Sequence, residues 1–139
     1  MATVIRAEIS VNNEHWISKH RYYELKHFCL QYPTWKKEYA ACDTFERSLP
    51  ISEKISSTNI PGDPTAKCAI MKLYYFEKIK LIEESAKAAD EDLYEYILKA
   101  VTENLSFTYL KSKLDIPCSR DTYYNRYRRF FWLLSKSRD

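Results

Sequence analysis

The chain has 139 residues, 45% hydrophobic and 29% charged, with a net charge of +3. That is ordinary for a globular protein and allows one compact domain rather than two large ones. Gly62 is the only glycine. Tight hairpins need glycine, so a sheet-rich fold is disfavoured and an all-α chain is expected from the helical spacing of its apolar residues.

No run of about 18 apolar residues offers a membrane span. The start, "MATVIRAEIS", carries Arg6 and Glu8 within a short apolar run and does not read as a signal peptide, so an intracellular location is expected. Residues 1–15 lack a clear period and read as an arm. Ser18 is placed to cap a helix through "KHRYYELKHFCLQY", where Tyr22, Leu25, Phe28, Cys29 and Tyr32 recur at helical spacing. Pro33 is expected to stop it. Thr34 is then placed to cap a second helix with Trp35, Tyr39 and Cys42 on one side. Together they predict an N-terminal antiparallel helical hairpin over residues 1–43, arm included.

From 44 to 63 the pattern dissolves. "SLPISEKISSTNIPGDP" holds three of the five prolines and the single glycine, which is linker composition. Pro64 suits the first position of a helix, with Asp63 as its cap. An apolar stripe of Ala66, Ala69, Ile70, Leu73, Phe76, Ile79, Ile82, Ala86 and Ala89 extends that helix to Ala89, a rod of about 39 Å. "DEDLYEY" follows, with Asp90 as a cap. Leu93, Tyr96, Ile97, Ala100 and Val101 are the expected buried face of a helix ending near Asn104.

Residues 64–139 thus carry the long helix and then a denser pattern. Ser106 and Ser119 both stand where helix caps belong. The first would open "FTYLKSKL", with Phe107, Leu110 and Leu114 inward. Ile116 would plug the turn "DIPC". The second would open "RDTYYNRYRRFFWLL", with Tyr123, Tyr127, Phe130 and Leu134 inward. Two short helices across a tight turn, braced by a preceding helix, form a helix-turn-helix.

Charge concentrates in this region. From Lys111 to Asp139 eight Lys or Arg oppose three acids, a net +5 that leaves −2 for the rest of the chain. A basic end on a near-neutral body suits a polyanion. Around the last helix, Asp121, Asn125, Arg128 and Trp132 fall opposite the inward stripe, flanked by Tyr124 and Arg129. Arg120 stands in the first turn, the part of a recognition helix that faces the major groove. Arg matches guanine and Asn matches adenine bidentately. Lys111, Lys113 and Arg126 suit phosphates. Asp121 would repel phosphate unless it accepts from cytosine or serves the helix N-terminus. The plain alternative is an ordinary solvated basic face, with RNA or protein as further possible partners. From Phe130, "FFWLL" is apolar on all sides and must be enclosed, by the N-terminal hairpin or by a second copy of the chain.

The stretch "YILKAVTENLSFTYLKSKLDIPCSRDTYYNRYRRFFWLL" resembles the C-terminal helix-turn-helix of sigma-factor region 4, where "LSxxxLxxxLxIxxSRxxxY" is typical. It resembles still more the small phage regulators of the ArpU/RinA type, which set a long helix like "PTAKCAIMKLYYFEKIKLIEESA" before such a motif. The likeness covers about Pro64 to Arg138 and differs at Pro117–Cys118 and in the aromatic helix end. It implies an all-α, phage or prophage-encoded regulator of late-gene transcription acting in the cytoplasm of a bacterial host. It puts Arg120, Tyr124, Asn125 and Arg128 on the recognition helix, with duplex DNA as partner.

Two other functions compete: a small terminase-like packaging protein that works as a ring, and a protein-only adaptor on RNA polymerase. An enzyme is not expected, for want of a glycine-rich phosphate loop, a metal cluster or a nucleophile signature. Cys29, Cys42, Cys68 and Cys118 lie far apart without a CxxC pair, so they are expected to be buried residues rather than zinc ligands. His20, Glu24 and His27 share a helix face without the HExxH pattern and are expected to be surface or packing residues. No cofactor is expected.

Overall fold

The computed structural model describes residues 13–49 and 64–138. Most of the expected arm, most of the expected linker and the Asp63 cap lie outside these residues. Among the described residues there are six α-helices and no strand, as the composition predicts: α1 (Lys19–Leu30), α2 (Tyr32–Ser48), α3 (Pro64–Ala89), α4 (Tyr94–Glu103), α5 (Phe107–Leu114) and α6 (Arg120–Ser137). None is long and apolar enough to cross a membrane.

The helix starts follow local chemistry. Ser18, Ser106 and Ser119 each accept a bond from a backbone N–H three residues on, at Arg21, Tyr109 and Thr122. The carboxylate of Asp90 accepts from the N–H groups of Asp92 (2.9 Å) and Leu93 (3.1 Å), shaping the turn that precedes α4. Asn104 ends α4 and Asp115 ends α5, both in the left-handed region (φ 57° and 51°), where short polar side chains are tolerated.

The chain divides into two compact units, one of residues 1–31 and 81–139, the other of residues 32–80. In the first, α1 packs on α4 and on α6, and α4 packs on α6. Its core is built from Tyr22, Leu25, Cys29, Ile82, Ile97, Leu110, Ile116, Tyr123, Phe130, Phe131 and Leu134, each 1% exposed or less. A fully buried Leu, Ile or Phe contributes about 1.5–3 kcal/mol of transfer free energy, so this cluster dominates the unit's stability.

In the second unit α2 lies along the part of α3 up to Lys80. Lys78 sits 5.7 Å from the Trp35 ring, Tyr39 meets Phe76 at 6.3 Å, and Lys72 bonds Asp43 at 2.7 Å and Glu46 at 3.1 Å. Partners descend along α3 as they ascend along α2, so the two run antiparallel. The antiparallel pair expected between α1 and α2 is therefore made by α2 and α3 instead, while α1 belongs with the C-terminal helices.

Two further expectations are corrected. The second helix starts at Tyr32, not after a Thr34 cap, because a proline in a first turn has no N–H to satisfy and Pro33 fits there. It also runs to Ser48, beyond the expected linker start at 44. Ion pairs hold this last turn: Asp43 takes Arg47 (3.1 Å) and Lys72, and Glu46 takes Lys72. An apolar period does not register them. The long helix spans the predicted residues, yet only Ile79, Ile82, Ala86 and Ala89 of its stripe are buried, whereas Ile70, Leu73 and Phe76 are 69%, 59% and 44% exposed.

Candidate nucleic-acid interface

The basic C-terminal segment is α5, a five-residue connection and α6. Phe107 stacks on Tyr123 at 5.5 Å and meets Tyr124 edge-on at 6.1 Å, which joins the start of α5 to the start of α6. Between them Ile116 is fully buried, and its N–H donates to the Leu110 carbonyl (3.1 Å). The Lys111 ammonium closes the same turn from outside by donating to the Ile116 carbonyl (3.2 Å). Pro117 and Cys118 follow the plug, and the Cys118 N–H bonds the Ile116 carbonyl (3.0 Å).

The first turn of α6 is the exposed part. Ser119, Arg120, Asp121 and Thr122 all face solvent. The Arg120 guanidinium lies 5.5 Å from the Phe107 ring and 5.8 Å from the Tyr124 ring. Stacking of this kind narrows the rotamers of a long side chain without consuming its N–H donors. Lys111 and Lys113 on α5 are exposed as well. Arg120, Tyr124, Lys111 and Lys113, named from the sequence, thus all fall on these two joined helices.

Further along α6 the expected residues divide. Arg128 is half-buried and has no hydrogen bond or ion pair among the described residues. Arg126, assigned to phosphate from the sequence, instead donates through Nε to Asp90 Oδ2 (2.9 Å) and through Nη1 to Asn125 Oδ1 (2.9 Å). It ties α6 to the turn before α4, and it engages the oxygen of Asn125 while leaving that amide's N–H groups to donate elsewhere. Arg129 is half-buried, and its Nε is buried without a hydrogen-bond partner among the described residues. The partner of Arg126 was present in the sequence as the acidic junction "DEDL", but periodicity gives no sign that residues 36 positions apart meet.

The aromatic stem of α6 is enclosed within its own unit. Tyr22 of α1 meets Phe131 at 5.1 Å and shares a 2.7 Å hydroxyl hydrogen bond with Tyr127. Trp132 is half-buried, with the His15 ring at 5.2 Å and the Lys136 ammonium at 3.7 Å. Burial lowers the His15 pKa, Glu14 opposes this, and Arg129, Arg128 and Arg126 add to it. At the helix end Arg21 donates through Nε to Ser135 Oγ (3.0 Å) and through Nη2 to the carbonyls of Ser135 (3.0 Å) and Arg138. Terminal carbonyls have no partner inside a helix, so a cation from α1 satisfies them and complements the helix dipole. Arg138 completes the clamp by bonding Glu24 (2.9 Å) and lying 4.2 Å from the Phe28 ring.

A bonded, well-packed stem and an exposed first turn, where Arg120 stands beside Asp121, give α6 two distinct halves. The second half is held by α1. The first is free to meet a ligand, with donors from Arg120, Tyr124, Asn125 and Arg128 and lysines from α5. No protein family, curated protein or solved structure was found to match the chain.

Proposed function

We propose that this chain is a phage or prophage-encoded transcription regulator that acts in the cytoplasm of a bacterial host and binds duplex DNA through a helix-turn-helix formed by α5 and α6. The observation that carries this reading is the exposed first turn of α6, with Arg120 held over Phe107 and Tyr124 on a helix whose far end is anchored. A major groove admits one helix, and the helix's N-terminal residues reach base edges.

Arg120 and Arg128 donate to base acceptors, guanine above all. Asn125 reads by donation, since its oxygen is engaged by Arg126. Tyr124 both positions Arg120 and offers a hydroxyl. Lys111 and Lys113 neutralise phosphates, which gives affinity without sequence reading. Asp121 opposes phosphate and so favours a placement in which the first turn lies deep in the groove, where a cytosine amino group can donate to it.

Fluorescence anisotropy with labelled duplexes across a salt series tests the reading. Affinity is expected to fall steeply with salt as counterions are released. Arg120→Ala and Arg128→Ala should each weaken binding by about 1–3 kcal/mol with the Tm unchanged. No duplex binding at low salt would overturn the proposal. Sedimentation of the free and DNA-bound chain separates regulation from packaging: a stable ring would favour a terminase-like role.

A further inference from the structure

The four cysteines are free thiols, and two of them meet. The Cys68 thiol on α3 donates to the Cys42 carbonyl oxygen on α2 at 3.3 Å. A side chain as short as cysteine's reaches the backbone of a neighbouring helix only where the two helices approach closely. Both residues are partly exposed, whereas Cys29 is fully enclosed. Burial, the neighbouring Cys42 and the nearby Glu46 together push the Cys68 thiol up to about 12. The flanking pairs, Lys72 with Asp43 and Tyr39 with Phe76, fix the register that keeps these positions together.

We propose that Cys42 and Cys68 close an intramolecular disulfide between α2 and α3 when the chain meets a small-molecule disulfide. One protein thiolate attacks a sulfur of the oxidant, whose S–S bond breaks, and the first small thiol leaves with a proton. The second protein thiolate attacks the mixed disulfide at the protein sulfur, forming the Cys42–Cys68 bond and expelling the second small thiol. The protein loses two electrons and two protons, and the oxidant is reduced to two thiols. The bond spans the stretch from 43 to 67 and locks α2 on α3, which limits the freedom of the unfolded chain. The scarcity of Cys68 thiolate at neutral pH makes closure slow there and faster as the pH rises.

The full-length chain is incubated with oxidised glutathione at pH 7 and pH 9, alkylated, and measured by intact mass and peptide mapping. The expected product has lost two hydrogens, carries two alkyl groups instead of four, and links the peptides of Cys42 and Cys68. It should form faster at pH 9, raise the Tm, and revert with dithiothreitol. Cys42→Ser and Cys68→Ser should each abolish the link, and Cys29→Ser and Cys118→Ser should keep it. Glutathione adducts without an internal link would overturn the proposal, as would an internal link that persists in Cys68→Ser. The assay contains no DNA, so its outcome is independent of the reading of α6.

Discussion

Arg126 and Arg120 lie six residues apart on one helix and have different work. Arg120 is exposed and lies over the rings of Phe107 and Tyr124. Arg126 is bonded to Asp90, whose side chain is 18% exposed and also accepts two backbone N–H groups. Arg126→Ala leaves that carboxylate short of its cation, and a drop in stability of about 1 kcal/mol is expected, seen as a lowered Tm with any loss of DNA affinity following from misfolding alone. If the Tm holds while affinity falls as far as for Arg120→Ala, the ion pair is dispensable and Arg126 belongs to the interface. In the sequence Arg120 read as a groove residue and Arg126 as a phosphate contact, both of them ligands of DNA. The distinction needed Asp90, which helical spacing on α6 cannot register.

Among the helices, the serine caps were the most legible feature. Ser106 and Ser119 precede α5 and α6, and each accepts the N–H bond expected of it. Ser119→Ala should cost about 1 kcal/mol in urea unfolding. It should also weaken DNA binding by loosening the first turn of α6; an unchanged midpoint would mean that the Arg120 stack alone sets the helix start. The pairing of helices was less legible. A run of helix, proline and helix suggested that α1 and α2 fold on each other, because short connections favour neighbours. Instead α1 meets α6 through Tyr22, Arg21 and Glu24, residues more than 100 positions from their partners. The apolar stripe of α3 makes a related point. Periodicity marks a face as able to be buried, and Ile70 and Leu73 show that such a face can stand in solvent.

For the molecule as a whole, the tyrosine content makes pH a useful probe. Burial, with neighbouring phenols, raises the pKa of Tyr123 and Tyr127 above the usual value of about 10. The folded state therefore holds these protons after an unfolded chain would release them. The stability from the buried neutral phenols is complete below about pH 10 and is lost as the pH climbs from there toward the folded values. Unfolding followed by near-ultraviolet absorbance is expected to show Tm falling above pH 10. The Tyr123 hydroxyl is buried without a hydrogen-bond partner among the described residues, so Tyr123→Phe should raise stability at neutral pH and flatten the alkaline decline. A variant less stable than the parent, with an unaltered decline, would mean that this hydroxyl is satisfied by a bound water.

Residue order alone was enough to foresee the all-α class, the span of α3, the serine caps of α1, α5 and α6, and the buried plug at Ile116. Each depends on residues within a turn or two of one another, where backbone geometry and side-chain period are set locally. Folding in three dimensions was needed to set Phe131 of "FFWLL" against Tyr22 of α1, to tether Arg126 to Asp90, to lay α2 along α3, and to bring Cys42 and Cys68 together. Each of these joins residues far apart in the chain through packing, ion pairing or hydrogen bonding, and no local period records which distant surface a helix face will find.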